Sequence, residues 1–457
     1  MLDKIKSIYA PVPPTERVAP DKIDALYKKK RFEIMLSVFV GYAGYYLVRT
    51  NFNIAKPYLI NVLGYTKTEV GIIAAALTIA YGISKFVMGN VSDRSNPRYF
   101  LATGLLASAA VNIFFGFLPS LWIMVIFWFL NGWFQGMGWP SCARSMVHWF
   151  SDRERGTKMA IWNLSHNVGG MFAPIIASYS VIYITTWIIG SYTQSAQNSH
   201  IWQSIFYVPA AFAILTALVV IIFLRDTPQS EGLPPIEEYK DDYPHVEVDD
   251  RERELSGKEI LFKYVLYNKY IWLFALANVV VYIVRYGVVN WAPTYLTEVK
   301  GYTLAHSALQ SGLYECAGIF GMLLSGWASD RLFHGRRSPV MVIFMTLVTA
   351  AVAVYWLNPP GNFFIDSVSL FAIGFLIYGP VMLIGIAAVD LVPKKAVGTA
   401  AGLTGLFGYI GATIAEIGLG RLVQSYGWDK GFIFIIACCV LSIVFLSMTW
   451  NVHDRRS

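Results

Sequence analysis

The chain has 457 residues, 56% of them hydrophobic and only 14% charged, and its mean hydropathy is +0.49. Soluble domains carry about 25% charged residues, so this composition excludes an ordinary globular domain and points to a membrane protein. The net charge of +7 does not indicate nucleic-acid binding, because the basic residues collect at the ends of apolar runs. Residues 1–31 are charged and contain no apolar core, which predicts a cytoplasmic N-terminal segment and no secretory signal. Six apolar spans are predicted near 34–56, 70–91, 99–118, 121–147, 157–186 and 202–224. The stretch 225–268 is charged and contains Pro228, Pro234 and Pro235, which reads as a cytoplasmic linker. Six more spans follow near 270–296, 306–328, 338–357, 364–390, 396–424 and 428–450, with a cytoplasmic tail over 451–457. Each run can cross a hydrocarbon core of about 30 Å as a helix. In lipid the backbone must bond within its own segment, so helices are expected, and the runs lack the alternation of a barrel.

The expected fold is therefore an all-α membrane protein: twelve transmembrane helices in two pseudo-symmetric six-helix bundles, 32–224 and 269–450. Internal repetition supports the division. Tyr46-Leu47-Val48-Arg49 matches Tyr282-Ile283-Val284-Arg285 after 236 residues. Gly89-Asn90-Val91-Ser92-Asp93-Arg94 matches Gly326-Trp327-Ala328-Ser329-Asp330-Arg331 after 237, and Arg155-Gly156-Thr157 matches Val397-Gly398-Thr399 after 242. A near-constant offset at three places indicates two related halves. Lys28–Arg31, Arg94, Arg98, Arg153, Arg155, Lys158, Arg331, Arg336, Arg337, Lys394 and Lys395 lie on one side, whereas the opposite loops carry Lys56, Lys67, Lys300 and Lys430. This asymmetry places both termini in the cytoplasm. The repeated Ser-Asp-Arg turns read as gating latches, with Asp93 and Arg94 in one half and Asp330 and Arg331 in the other. Cys142, Cys316, Cys438 and Cys439 show no metal-ligand spacing and read as small core residues.

Two arginines fall deep within spans. Arg49 and Arg285 each lie 15 residues into their own span, roughly 22 Å along a helix. An arginine at mid-span costs about 2.5–3.5 kcal/mol on insertion scales, so each needs a partner or a wet cavity. Glu315, Glu416 and Asp390 are the acids within spans, and none recurs with the symmetry of the arginines. A guanidinium is a planar fork matched to phosphate oxygens, so two of them predict a phosphate or phosphomonoester site. Tyr42 and Tyr46 precede Arg49 on one helix face, and Tyr282 precedes Arg285 by three residues. Lys85, near the end of its span, is either a snorkelling lysine or a second cation on the anion's path, with Tyr81 one turn away. His166 shares a face with Trp162 and Asn163 and could sense substrate charge. No Ser/His/Asp set, metal-ligand cluster or phosphate loop is visible, so no enzyme, cofactor or metal is expected.

GYAGYYLVRTNF (41–52), YGISKFVMGNVSDRSNPR (81–98), NGWFQGMGWPSCARSMVHWF (131–150), IWNLSHNVGG (161–170), RDTPQSEGLPPIEEY (225–239), VYIVRYGVVNWAPTYL (281–296) and GFLIYGPVMLIG (374–385) carry a resemblance over nearly the whole chain. It resembles the organophosphate:phosphate antiporters of the major facilitator superfamily, their glycerol-3-phosphate branch in particular. The resemblance implies exchange of glycerol 3-phosphate for inorganic phosphate across a bacterial plasma (inner) membrane by a multi-pass, monomeric carrier. A hexose-phosphate or phosphoglycerate exchanger, or a non-transporting sugar-phosphate sensor, stays open. The implied substrate residues are Arg49, Arg285, Lys85, His166, Tyr42, Tyr46, Tyr282, Tyr378, Asn163, Trp139, Trp162 and Glu315. The chain departs from the family pattern at Thr50, Cys316 and Asn290, the last of which stands where the branch is usually acidic.

Overall fold

The computed structural model describes residues 8–117, 119–189, 202–242, 260–392 and 397–452. The described residues are helical, with no strand among them. In chain order the helices are α1 (Pro20–Asn61), α2 (Lys67–Asp93), α3 (Pro97–Phe115), α4 (Leu121–Gln135), α5 (Gly138–Trp149), α6 (Asp152–Ile189), α7 (Ser204–Phe223) and the short α8 (Ile236–Lys240). After them come α9 (Lys269–Glu298), α10 (Leu304–Arg331), α11 (Arg337–Leu357), α12 (Phe363–Asp390), α13 (Val397–Tyr426) and α14 (Trp428–Ser447). With α4 and α5 taken as one interrupted crossing, six crossings precede the linker and six follow it.

Among the described residues, nine stretches are long and apolar enough to cross a membrane by length and composition alone, and the described parts of α1, α2 and α10 are not among them. Those three carry Arg49 and Lys56, Lys85, and Glu315 respectively. Ionisable groups within spans belong on helices that line a wet or protein-filled interior rather than lipid.

Several boundaries differ from the sequence reading. α1 begins well before residue 34, because its basic N-terminal part is helical and braced by an Asp24–Lys28 pair at 2.7 Å. It also runs past residue 56, so Lys56 lies inside the helix rather than in a loop. Ser92 and Asp93 close α2 with Arg94 in the turn just beyond it, whereas Ser329, Asp330 and Arg331 all lie in the last turn of α10. The linker is partly ordered. Thr15 N–H donates to the Gln229 carbonyl (3.0 Å), Val18 N–H to that of Gly232 (2.9 Å), and Val12 N–H to Asp226 Oδ2 (2.8 Å). Arg17 grips Glu238 with two bonds of 2.7 Å, and Tyr27 and Tyr239 stack at 3.9 Å. Gly232 adopts φ +73°, and a Cβ there would lie 2.5 Å from the Glu16 carbonyl, so both conformation and space require glycine.

The chain forms two compact units. One comprises residues 1–51, 80–177 and 203–251; the other comprises 52–79, 178–202 and 252–457. The first has a core built on Tyr27, Val38, Tyr45, Leu101, Cys142, Trp149 and Val220. In the second, α9 is the central helix, packing Trp291, Tyr295 and Val284 into a continuous core with α10 to α14. The segment 52–79, which holds the end of α1 and the start of α2, belongs to this second unit.

Candidate functional site

Arg49 stands one residue beyond a bend in α1. Val48 leaves helical geometry there (φ −101°, ψ 15°). No proline is at the bend, so its cause is tertiary. The Val48 carbonyl accepts from Asn131 Nδ2 (2.8 Å) on α4 and from Asn112 Nδ2 (3.0 Å) on α3. Asn51 Nδ2 in turn donates to Asn112 Oδ1 (2.9 Å) and to the Ile205 carbonyl (3.1 Å). One turn along α4 from Asn131, Gln135 donates to the Tyr45 carbonyl (3.0 Å) and accepts from Arg49 Nε (3.1 Å).

The guanidinium carbon of Arg49 lies 4.1 Å from the ring centre of Tyr81 and 4.9 Å from that of Tyr46. A cation over an aromatic face is stabilised by the ring quadrupole without losing its charge. From Tyr46 a run of rings continues through His166 (5.8 Å) on one side and Tyr42 (5.8 Å) on the other. Tyr42 meets Trp162 at 5.1 Å, and Trp162 meets Trp139 at 6.4 Å. Lys85 closes the run with its Nζ 5.0 Å from the Trp139 ring. His166 is buried, and its Nδ1 donates to the Asn163 carbonyl. A cleft of about 550 Å³ beside this run is lined by Lys85, Trp139, Arg144 and His148. Two glycines make the packing possible. A Cβ at Gly136 would lie 2.3 Å from Ser84 Oγ and 2.9 Å from the Lys85 nitrogen, and one at Gly169 would lie 2.7 Å from Tyr46 Cβ.

The second unit repeats the theme with different chemistry. Arg285, buried on α9, donates from Nη2 to the Tyr378 hydroxyl (2.8 Å), which donates onward to Glu315. Its guanidinium carbon lies 4.4 Å from the Tyr378 ring, 5.1 Å from Tyr286 and 5.9 Å from Tyr282. Tyr314 donates to the Arg285 carbonyl at 3.4 Å. Each substrate arginine predicted from sequence is thus set among tyrosines. The first is held by an amide, the second by a phenol that leads to a carboxylate.

The predicted gating residues fare unevenly. Asp330 is paired with Arg337, whose Nε also reaches Asp390 Oδ2 at 3.1 Å. Arg331 and Arg94 are exposed, and the cation that holds Asp330 is Arg337 at the start of α11. The side chain of Asp93 lies outside the described residues, as do Lys394 and Lys395. Sequence reasoning missed Gln135, Asn131, Asn112 and Tyr286. The first two are polar residues four apart in an otherwise apolar span, a spacing that places both on one helix face. Among the described residues no group of His, Cys, Asp and Glu could hold a metal ion.

The Major Facilitator Superfamily profile matches residues 38–416. The chain belongs to the major facilitator superfamily. It is 54% identical over 98% of its length to the glycerol-3-phosphate transporter of Bacillus subtilis (strain 168), covering 99% of that protein. It is 46% identical over 95% of its length to the glycerol-3-phosphate transporter of Haemophilus influenzae, covering 94% of it. Among solved structures, a bacterial homologue of the human lysosomal transporter Spinster, crystallised inward-facing and unoccupied, superposes with a TM-score of 0.71. That match covers 92% of this chain and 95% of the other at 15% identity, so it bears on the fold alone. The all-α, multi-pass membrane fold of this superfamily is the one observed here.

Proposed function

We propose that the chain imports glycerol 3-phosphate in exchange for inorganic phosphate by alternating access, with Arg49 and Arg285 ligating one dianion in the loaded carrier. The observation that carries this reading is the pair of arginines at repeat-related positions of α1 and α9, each set among tyrosines. Such a setting keeps a cation charged while stabilising it within the membrane. The 54% identity to a glycerol-3-phosphate transporter favours that organophosphate. Tyr42, Tyr46, Tyr282 and Tyr378 line the path of the phosphate and the glycerol hydroxyls. Trp139 and Trp162 wall it, Lys85 draws the anion from the cytoplasmic side, and His166 with Asn163 responds to substrate charge.

In this reading residues 32–224 and 269–450 are the two moving bundles, joined by the 225–268 linker, in a monomer of the bacterial inner membrane with both termini cytoplasmic. The distribution of Lys and Arg across the loops supports that orientation. Empty, the cations resist closure by mutual repulsion; loaded, the dianion neutralises them and the carrier reorients. Exchange is then obligatory. Proteoliposomes loaded with phosphate are expected to take up labelled glycerol 3-phosphate, and phosphate-free liposomes to take up little. Equal uptake from both would overturn the exchange reading.

A further inference from the structure

A π-helical turn, Ile260–Leu266, leads into α9. Three bonds make the corner between them. Tyr267 N–H donates to the Phe262 carbonyl (3.0 Å), Asn268 N–H to that of Val265 (3.2 Å), and Trp272 Nε1 to that of Leu266 (2.7 Å). Turns of this kind are rare and recur at functional sites. Val265 and Ile271 are fully buried in the core of the second unit, whereas Phe262, Tyr267 and Trp272 are exposed. Exposed tyrosine and tryptophan at the start of an apolar helix mark the headgroup level of a bilayer.

Beside this corner lies a cleft of about 700 Å³ whose walls include Lys263, Lys269, Tyr264, Tyr267 and Tyr270. Among the described residues no acid lines it. Asp390 precedes the lining residue Leu391, but it is taken by Arg337 at 3.1 Å. Both lysines are exposed, and their ammonium groups lie 5.4 Å from the Tyr264 ring and 5.2 Å from the Tyr270 ring. An aromatic face stabilises a cation without cancelling its charge. Arg285 is sixteen residues further along α9, roughly 24 Å along the helix axis, so the cleft is separate from the substrate residues. A free anion at this exposed place would gain only a Coulomb attraction that salt screens. A phosphodiester carried on acyl chains is held at this level by the bilayer itself, and its chains cover the exposed Leu261 and Phe262. We propose that the cleft is a headgroup site for an anionic phospholipid, whose phosphodiester meets Lys263 and Lys269 and whose chains lie along the apolar side chains of the same segment. Its occupancy is independent of which anion the arginines bind.

The test uses the full-length protein in detergent, titrated with phosphatidylglycerol or with phosphatidylcholine of the same acyl chains and followed by native mass spectrometry. Phosphatidylglycerol is expected to bind at least about tenfold more tightly, and to slow amide hydrogen exchange over residues 261–272 where phosphatidylcholine does not. Lys263→Gln with Lys269→Gln should erase both the preference and the protection. Lys263→Arg with Lys269→Arg keeps the charges and should keep both. Lys22→Gln with Lys29→Gln removes the same charge from exposed positions of α1 and should leave the preference intact. A preference that survives the glutamine pair at 263 and 269, or that the α1 pair abolishes equally, would refute the site. So would its loss in the arginine pair, because charge would then not be what recognises the lipid. Excess inorganic phosphate at constant ionic strength should not displace phosphatidylglycerol; displacement would give the cleft to a free anion and overturn the lipid assignment.

Discussion

Lys56 Nζ lies 2.8 Å from Glu416 Oε2, joining the end of α1 to α13 through an ion pair with both side chains buried. Asn290 donates to the other carboxylate oxygen at 2.5 Å and accepts from Asn53 at 2.9 Å, and the Trp291 ring lies 4.2 Å from the ammonium. Asn290 was singled out in the sequence because its branch of the family is usually acidic there. Here the carboxylate comes from α13, and Asn290 serves it. Breaking a buried pair by removing one partner costs about 3–5 kcal/mol, whereas replacing both with well-packed apolar groups is often neutral. Glu416→Leu alone is expected to lower the melting temperature of the detergent-solubilised protein sharply. Adding Lys56→Met should recover most of the loss. A double variant no more stable than the single one would contradict the pairing.

Asn290→Asp follows from the same geometry. It would set a second carboxylate 2.5 Å from the first, and two carboxylates at such a distance cannot both ionise. Destabilisation on the order of 1–3 kcal/mol is expected from the lost amide donor. The loss should appear as a lower melting temperature at neutral pH that is partly relieved in the Glu416→Gln background.

What the sequence made legible was the chemistry of single residues at repeat-related places. Arg49 and Arg285 stand out because arginine is rare at mid-span and because the same tetrapeptide pattern surrounds both. Polar residues that act through geometry were hidden. Gln135 and Asn131 are unremarkable letters in a long apolar run, and the bend they brace at Val48 has no proline or glycine at the bend to announce it. Lys56 and Glu416 are 360 residues apart, so a window along the chain cannot pair them, and Lys56 read instead as a loop charge. Arg337 displaced Arg331 as the partner of Asp330 because Asp330 lies in the last turn of α10 and Arg337 begins α11. Where side chains project at such a corner depends on the turn between them.

The N-terminal strap, residues 12–18 bonded along linker residues 226–238, should loosen in acid. Asp242 accepts from the Arg153 backbone N–H at 3.0 Å and pairs with its guanidinium at 3.1 Å, and that backbone bond above all holds its carboxyl below the ordinary 3.8. Side-chain bonds from Lys28 first, and then from Tyr239, lower the Asp24 carboxyl as well. A carboxyl whose folded pKa is depressed contributes stability above its unfolded value and loses it as pH falls through the folded one. These contacts should therefore hold at neutral pH and begin to weaken only as pH falls below the ordinary carboxylate value of 3.8. Amide hydrogen exchange over residues 12–18 and 229–232, corrected for the intrinsic pH effect, should rise below pH 4 and stay flat between pH 5 and 7. Protection that is unchanged at pH 3 would show that the strap is held by its backbone bonds and the Tyr27–Tyr239 stack alone.

Glu315 offers a way to separate anion exchange from proton coupling. Its carboxylate takes the Tyr378 hydroxyl, which in turn takes a bond from Arg285, so a negative charge lies one phenol away from a proposed phosphate ligand. In a low-dielectric setting that charge opposes the binding of a second anion. Removing it while keeping the shape, as in Glu315→Gln, should tighten phosphate binding to the purified protein by about two- to tenfold, since each 1.4 kcal/mol is a factor of ten. Tyr378→Phe should do the opposite, because Arg285 loses its 2.8 Å acceptor and with it a fixed orientation. A carrier driven by protons through Glu315 behaves differently: Glu315→Gln would leave phosphate affinity unchanged and abolish uptake driven by a pH gradient in phosphate-free liposomes. Isothermal titration with phosphate, set beside that flux measurement, distinguishes the two, because only the electrostatic account ties a gain in affinity to the loss of this carboxylate.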